Sequence, residues 1–331
     1  SLDLLWEKNL KLPYEEEIYE LAEYSIDNRG KVYMLSGLGN AVQNNQRIEL
    51  RAREARSILI IYDPVNNKLK EFDVGLKDKY IMSMSLEFAG NGDPVIAGFY
   101  SKDQFNSIGG TFYFRIDGTK KVLKTGGLHP FEEEFLTQFM SSRRAERASE
   151  LDRFQLQKMH VNKDGSCVLV GEQHYINERI TTDLGNGRQR ITYDYIYNDL
   201  IAMRLDSAGQ QLWQVRIPKQ QVSVDDGGPY SSFAFALEQD TVHIWFNDHP
   251  DNAELLAKDP SSNLKGFRSF GKSVITHVVI NPEGENRRLI LGDSKLEDTI
   301  FRPKTHLFEG DLIWLYAVYR KSYRYGVVHL K

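Results

Sequence analysis

The segment Asn247-Asp248-His249-Pro250-Asp251-Asn252 places carboxylate, imidazole and amide groups next to one another. Carboxylate oxygens and imidazole nitrogens are common ligands of divalent cations, so Asp248, His249 and Asp251 form a candidate metal site. Asp and Asn before Pro are also typical of an ordinary turn. The sequence therefore favours a protein without a cofactor, with a divalent cation such as calcium as the alternative. It contains no EF-hand spacing and no Walker, dinucleotide-binding or Gly-x-Ser-x-Gly pattern.

Two adjacent carboxylates occur in Val224-Asp225-Asp226-Gly227-Gly228. Carboxylates around a pocket serve as general acid and as nucleophile or base in glycoside hydrolysis. Asp225 and Asp226 are therefore candidate binding residues. Their glycine-rich, polar surroundings are typical of a solvated loop. The sequence assigns no catalytic residue and favours a protein that is not an enzyme.

Tyrosine and arginine cluster in three parts of the chain, and both residue types are enriched at interaction hot spots. We expect these clusters to bind a ligand or partner. The alternative is that the tyrosines alternate in half-buried strands while the arginines solvate exposed ribbons. The candidate binding residues are Arg51, Arg53, Tyr175, Arg179, Arg190, Tyr193, Tyr195 and Tyr323.

The elements that must position these residues are short apolar runs separated by Asn, Asp and Gly turns, which is typical of β-strands. One unit recurs, in which two strands around a tight turn are followed by a connection and two more strands. Five such units predict an all-β fold, a β-propeller with five four-stranded blades, rather than a β-sandwich or two stacked β domains. The units span about 18–75, 80–125, 153–218, 230–291, and 303–331 completed by 1–12.

The two ends of the chain predict how this ring closes. Residues 5–12 repeat the Leu-Trp strand of residues 212–217 without a turn before it, and the chain stops after a strand at 326–331. We expect strand 5–12 to pair beside 325–331, which would remove an open sheet edge. The whole of 1–331 is then one domain.

Long insertions are predicted on one face of the disc, and long loops on a rigid scaffold commonly carry function. Residues 173–198 are predicted to form a long hairpin around an Asn-Gly turn. A protrusion is predicted at 40–56, and a helix at 131–150 with Phe131, Phe135 and Phe139 packed on the disc. We expect the working surface to be built from 40–56, 129–152, 173–198, 219–230 and 247–272.

Composition excludes several classes of partner. The net charge of −4 gives no reason to expect nucleic acid. No apolar run approaches the roughly 20 residues that a membrane-spanning helix needs, so no transmembrane segment is expected. The single cysteine, Cys167, cannot form an internal disulfide, and its apolar surroundings predict a buried side chain rather than a catalytic thiol.

The third unit resembles the repeats of secreted or envelope β-propeller proteins of Bacteroidetes-type bacteria. The resemblance lies in the Asp-Gly turn and apolar strand of 164–171, and in 198–213, which ends in Asp-Ser-Ala-Gly and a Leu-Trp pair. It implies an extracytoplasmic setting, periplasmic, cell-surface or secreted, and carries no catalytic residues. We therefore expect a non-catalytic binding or scaffold module. Its partner would be another protein of the envelope or secretion apparatus, and the alternative is a carbohydrate-active propeller that binds a glycan at the channel mouth.

Overall fold

The computed structural model describes residues 7–27, 29–39, 41–44, 47–50, 56–102, 106–118, 123–182, 187–266, 270–294 and 298–330. The chain divides into two compact units, Ser1–Ile81 and Met82–Lys331. Both units are built from antiparallel sheets, so the predicted all-β class is confirmed. Among the described residues, no helix combines the length and the apolar character that crossing a membrane would require.

The first unit contains one four-stranded sheet in the order β1-β2-β5-β6 and a separate hairpin, β3-β4. The hairpin lies where the protrusion at 40–56 is predicted. Leu38, Ile58 and Ile60 form the core on one face of the sheet, and Tyr14 stacks on Tyr19 beside it. The strands are β1 (Tyr19–Ile26), β2 (Val32–Leu38), β3 (Ala41–Asn44), β4 (Arg47–Leu50), β5 (Arg56–Asp63) and β6 (Lys68–Asp73).

The remaining strands belong to four further antiparallel sheets and a two-stranded pair. Three short α-helices lie in the connections. The strands are β7 (Tyr80–Phe88), β8 (Pro94–Ser101), β9 (Ser107–Ile108), β10 (Gly110–Ile116), β11 (Leu123–Pro130), β12 (Leu151–Asp152), β13 (Phe154–Val161), β14 (Cys167–Thr182), β15 (Gln189–Leu205), β16 (Gln211–Ile217), β17 (Gln221–Val224), β18 (Ala234–Glu238), β19 (Thr241–Asp248), β20 (Val274–Ile280), β21 (Asn286–Asp293), β22 (Ile300–Glu309), β23 (Leu312–Tyr319) and β24 (Ser322–His329). The helices are α1 (Glu133–Leu136), α2 (Ser142–Ala148) and α3 (Asn252–Lys258).

Each predicted repeat unit coincides with one antiparallel sheet in which consecutive strands are neighbours. Among the described residues, the orders are β7-β8-β10-β11, β13-β14-β15-β16 with β17 beside β15, β18-β19-β20-β21, and β22-β23-β24. The tight turns form as the sequence predicts. For example, Asp206 Oδ1 accepts hydrogen bonds from the backbone N–H groups of Ala208 and Gln210. Gly209 follows with a φ of 79°, a conformation that costs glycine little.

Successive sheets of the second unit pack face to face. Cys167 and Leu169 join the core of the β7–β11 sheet, whereas Val168 and Val170 join the core of the β18–β21 sheet. Alternate residues of one strand therefore enter two different cores, and the first six residues of β14 are buried on both faces. The predicted burial of Cys167 is confirmed, because its side chain has no exposed surface.

Three sequence-based details need correction. The predicted helix at 131–150 is two short helices, α1 and α2, separated by turns. Tyr323 lies in strand β24 after a tight turn at residues 320–321, although the sequence predicts that it belongs to the connection of the last unit, residues 320–325. Residues 7–12, the described part of the predicted closing strand, form no strand, and residues 1–6 lie outside the described residues.

Candidate functional site

The insertions of the second unit meet around a groove of about 1140 Å³. Residues 137–141 come from the segment that links β11 to β12, and residues 253–264 come from the segment that links β19 to β20. The base of the β14–β15 hairpin contributes Gln173, Asn198 and Asp199, and residues 216–220 complete the wall. Segments that the sequence assigns to one working surface therefore converge on one cavity.

Arg216 holds one wall of this groove together. Its guanidinium pairs with Asp199 at 2.8 Å and lies over the Phe139 ring, 4.9 Å from the ring centroid. It also donates a hydrogen bond to the backbone carbonyl of Gln138. A single side chain thereby joins strand β16, the hairpin base and the segment between α1 and α2.

Arg288 joins further segments of the groove in a similar way. It pairs with Asp248 at 2.8 Å, donates to the backbone carbonyl of Pro218, and lies near the Phe246 ring. Asp248 in turn accepts hydrogen bonds from the Asn252 side chain, which also donates to the carbonyl of Lys265. Burial raises the pKa of Asp248, and the Arg288 charge opposes that rise.

The groove lining is chemically suited to binding. Its side chains include the amides Gln138, Gln173, Asn198, Gln220, Asn263 and Asn286, together with apolar groups such as Met140, Leu256 and Leu264. Amides both donate and accept hydrogen bonds, so they match polar ligands such as peptide groups. The Asn198 Oδ1 atom is buried and has no hydrogen-bond partner among the described residues.

Asp199 is the one carboxylate among the described residues that line the groove. Its Oδ2 atom accepts from Arg216, and its Oδ1 atom accepts from the backbone N–H of Lys219 at 3.0 Å. Glycoside hydrolysis ordinarily needs two carboxyl groups about 5–9.5 Å apart. The described lining therefore offers ligand contacts rather than that two-carboxylate arrangement.

A buried ion pair lies next to the groove. Lys219 Nζ is 2.8 Å from Glu172 Oε1, and neither side chain has any exposure to solvent. Ser232 donates from its hydroxyl to Glu172, while its backbone N–H donates to Gln221. These contacts hold Ser232 at a φ of 74°, which is uncommon for a residue other than glycine. Burial lowers the pKa of Lys219, and Glu172 opposes that effect.

The hairpin divides the predicted tyrosine and arginine cluster between two faces. Tyr193 and Tyr195 lie opposite Glu178 and Ile176 on one face. The other face carries Tyr175, Arg179 and Arg190: Arg153 lies 4.3 Å from the Tyr175 ring centroid, and Arg179 pairs with Asp194 at 2.6 Å. Residues that appear as one cluster in the sequence therefore form two surfaces.

Asp225 and Asp226 belong to a turn that follows β17. The Asp225 carboxylate accepts a hydrogen bond from the backbone N–H of Tyr193, and Asp226 accepts one from Gly228. Both side chains are exposed. Asp225 therefore holds the turn against the hairpin, and Asp226 stabilises the turn itself.

The candidate metal ligands have other partners. Asp248 is engaged by Arg288 and Asn252, whereas His249 Nδ1 accepts from the backbone N–H of Asp251. The Asp251 carboxylate pairs with Lys265 at 2.7 Å. Within the described ranges, no three His, Cys, Asp or Glu side chains are grouped as a metal site would require.

Tyr323, another predicted binding residue, is not among the residues that line the groove. Tyr323 is 68% exposed on β24. Arg51 and Arg53 lie outside the described residues. Sequence reasoning missed Arg216, Arg288 and the Glu172–Lys219 pair. One signal was present for Glu172, a charged residue that follows the apolar run of 167–170 after a single glycine.

A histidine pair occupies the sheet formed by β18–β21. His243 Nδ1 and His277 Nε2 are 3.0 Å apart, so one nitrogen donates and the other accepts. The Trp245 ring stacks on His277 with 4.5 Å between centroids. The pKa of each histidine is lowered to about 4, mainly by burial. The charge of Arg287 contributes to the lowering at both histidines, and the charge of His243 contributes at His277.

No protein-family model matches the chain, and no curated protein matches its sequence. Solved structures with a similar backbone include polysaccharide lyase Uly1, at 10% identity over 93% of this chain with a TM-score of 0.39. An acylaminoacyl peptidase of Pyrococcus horikoshii has 12% identity over 96% of this chain and a TM-score of 0.45. The chain spans 57% and 41% of the lengths of these two proteins.

A third similar structure is the β-propeller domain of the Trilobed protease from Pyrococcus furiosus. It is 8% identical over 94% of this chain and 83% of its own length, with a TM-score of 0.36. Likenesses this remote carry no information about the activity of the present chain.

Proposed function

We propose that this protein is a non-catalytic binding or scaffold module that captures another protein. The observation that carries the proposal is the groove of about 1140 Å³, where segments from four parts of the second unit meet. Two arginines, Arg216 and Arg288, fix its walls, so the cavity is preformed and little ordering is needed on binding.

The chemistry of the lining supports a polypeptide as ligand. Amide side chains can pair with both the N–H and the C=O of a peptide group, and the apolar groups can receive side chains. Phe139 lies under the Arg216 guanidinium, which limits its use as a platform for a sugar ring. We place the protein outside the cytoplasm, as the resemblance of its third repeat implies, with a partner from the envelope or secretion apparatus.

We further propose that the five sheets are the blades of a single β-propeller domain spanning 1–331. The packing of the second unit supports this arrangement, because its successive sheets pack face to face and each corresponds to one predicted repeat.

A carbohydrate-active propeller is the second candidate function. The amide-rich lining favours it, because amides also pair with sugar hydroxyls. A glycan-binding protein needs no catalytic carboxylates, so this alternative concerns binding more than hydrolysis. The same groove serves both candidates, and one pair of variants tests both.

The test blocks the groove without disturbing its walls. Ala257 lies in α3 and lines the groove, so Ala257→Trp places an indole in the cavity. Glu254→Trp adds the same indole to a more exposed position of α3 outside the lining and serves as the control. A partner is first isolated by crosslinking from the envelope, secreted and cytoplasmic fractions of the source cells. It is then purified and titrated against each variant.

We expect Ala257→Trp to weaken the purified complex at least tenfold and Glu254→Trp to leave it unchanged. A partner from the envelope or secreted fraction would support the proposed setting. If a glycan array gives binding that Ala257→Trp blocks while no protein is captured, the carbohydrate alternative replaces the proposal. Equal affinity for both variants would show that the groove is not the binding site.

A further inference from the structure

The β14–β15 hairpin continues beyond the sheet that carries it. Strand β13 pairs with β14 as far as Gln173, and β16 pairs with β15 only from Leu200 onward. Residues 174–182 and 189–199 therefore project as a ribbon. Strand β17 covers the outer edge of β15 at residues 194–197. Among the described residues, no strand covers the corresponding edge of β14.

The uncovered edge presents backbone groups at alternate residues. The His174 N–H donates to the carbonyl of Arg153, which shows that this N–H points away from β15. Alternation along the strand directs the N–H groups of Ile176, Glu178 and Ile180 to the same side. Long uncovered edges of this kind are templates for pairing with another chain, and proteins usually protect them.

The two faces of the ribbon next to this edge differ in chemistry. On one face, Ile176 and Ile180 are 51% and 58% exposed, and Ile191 lies directly opposite Ile180. The other face carries Arg153 and Arg179, with Arg190 further along. An added strand would place its alternate side chains on these two faces, since successive residues of a strand point in opposite directions.

The charged face has more cations than anions. Its three guanidinium groups, from Arg153, Arg179 and Arg190, are accompanied by two carboxylates, from Asp152 and Asp194. An acidic side chain on the incoming strand would complement this surplus. The apolar face needs a β-branched or other apolar side chain against Ile176 and Ile180.

We propose that the open edge of β14 accepts an extended segment of the partner protein as an additional strand. The segment alternates apolar residues, which lie against the isoleucine face, with polar and acidic residues, which lie against the arginine face. This inference rests on the proposed function, because it assigns a second contact surface to the same protein partner. Main-chain hydrogen bonds supply the affinity and the alternating side chains supply the specificity.

A second copy of the chain is a poorer occupant of this edge. An antiparallel self-pairing centred on Glu178 places the two Glu178 carboxylates opposite each other, and one centred on Arg179 does the same with two guanidinium groups. Like charges directly opposite each other destabilise a strand pair. An acidic, apolar segment from another protein avoids both conflicts.

The test uses a synthetic nine-residue peptide that alternates valine with glutamate or threonine, labelled for fluorescence anisotropy. Glu178→Pro removes an N–H that faces the open edge and leaves the pairing with β15 in place, because proline is tolerated where the N–H faces solvent. Glu178→Ala removes the same carboxylate and keeps the N–H, so it is the matched control. Thermal melting checks that both variants are folded.

We expect Glu178→Pro to weaken peptide binding at least tenfold and Glu178→Ala to change it less than threefold. The same peptide with alternate nitrogens methylated should not bind, and one with lysine in place of glutamate should bind more weakly. If Glu178→Pro disturbs the hairpin, Ile180→Lys provides a second variant that should abolish binding through the apolar face.

Equal binding to the proline and alanine variants, or equal binding of the methylated peptide, would overturn strand addition. The same variants are then measured with the purified protein partner. A complex that survives Glu178→Pro but not Ala257→Trp would reject the edge and retain the groove. A complex that survives both Glu178→Pro and Ala257→Trp would reject both proposals. If the free protein elutes as an oligomer in gel filtration and Glu178→Pro abolishes that oligomer, the edge serves self-association instead.

Discussion

The ion pair between Glu172 and Lys219 shows how single residues fix the site. Both side chains lie out of contact with solvent, and Glu172 also accepts the hydroxyl of Ser232. Lys219 Nζ donates to the carbonyl of Tyr197 as well. A buried pair of this kind adds little net stability compared with an apolar pair, but the loss of one partner leaves the other as an unpaired buried charge.

Glu172→Gln should therefore lower the free energy of unfolding by about 3–5 kcal/mol. Urea denaturation measures this value. The double change Glu172→Gln with Lys219→Met should recover much of the loss, because no charge is then buried alone. Glu254→Gln, which breaks the exposed pair with Lys258, is the control and should have almost no effect. If Glu172→Gln and Glu254→Gln have the same free energy of unfolding, the buried pair has no structural role.

The histidine pair makes stability depend on pH. His243 and His277 have a pKa of about 4 in the folded protein, below the ordinary value of 6.5. Between pH 6.5 and pH 4 the unfolded chain therefore binds more protons than the folded protein. The contribution of the two histidines to the free energy of unfolding is fully present above pH 6.5 and is lost as the pH falls to 4. We expect a loss of about 3 kcal/mol for each histidine.

Urea denaturation at intervals from pH 7 to pH 4 tests this dependence. The difference between the native protein and His277→Gln should grow smaller as the pH falls, because the variant has one fewer group to protonate. His249→Gln, on the loop after β19, is the control and should keep the native profile. A profile of His277→Gln that runs parallel to the native one would contradict the assignment.

At the scale of elements, the segment between β11 and β12 shows where sequence reasoning succeeded and failed. The phenylalanines at every fourth residue predict a buried stripe, and Phe131, Phe135 and Phe139 do form a ladder with centroids 5.3–5.4 Å apart. The helix itself is broken. Residues 137–140 form turns, and Ser141 has the extended backbone of a new helix start. Periodicity thus predicted the packing face, but tertiary contacts set the backbone.

Arg216→Met should release this segment from the hairpin base, because the pairing with Asp199 and the bond to the Gln138 carbonyl are lost. We expect about 1–3 kcal/mol of destabilisation. Amide hydrogen exchange should become faster at residues 133–148 and remain unchanged in β19 and β20. Arg143→Met, on the exposed face of α2, is the control. Unchanged exchange in Arg216→Met would show that the phenylalanine ladder alone holds the segment.

The hairpins were predictable because their signals are local, whereas the groove was not. Asn, Asp and Gly at the corners require no knowledge of distant residues. By contrast, Arg288 and Asp248 are 40 positions apart and meet only because β19, β20 and β21 align in a particular register. The sequence predicted a surface that includes the segments lining the groove, but it offered Asp248 as a candidate metal ligand because the arginine partner of Asp248 could not be recognised.

At the scale of the whole molecule, the repeat pattern leaves one sheet incomplete. Among the described residues, the sheet β22-β23-β24 has three strands, whereas each of the other four repeat sheets has a fourth strand beside its third. An uncovered β24 edge of eight residues would expose backbone groups to association with other chains. Residues 7–12, which the sequence predicts to cover this edge, form no strand in the structure.

Deleting residues 1–12 should lower the melting temperature, because Leu12 packs against the core formed by Leu38, Ile58 and Ile60. Calorimetry measures this effect. Replacing residues 5–12 with glycine and serine is the matched control for length and should have the same consequence as deletion. A truncated protein that is equally stable would show that these residues contribute nothing to the core of the first unit.

The burial of Cys167 determines how the folded protein reacts with thiol-directed reagents. The thiol is enclosed between two sheets, and burial raises its pKa, so the reactive thiolate is scarcely formed. The folded protein is therefore inert to thiol-directed reagents and to disulfide exchange between copies. Any alkylation of Cys167 requires β14 to separate from its neighbours. The rate of Cys167 alkylation thus measures how often the core around β14 in the second unit opens.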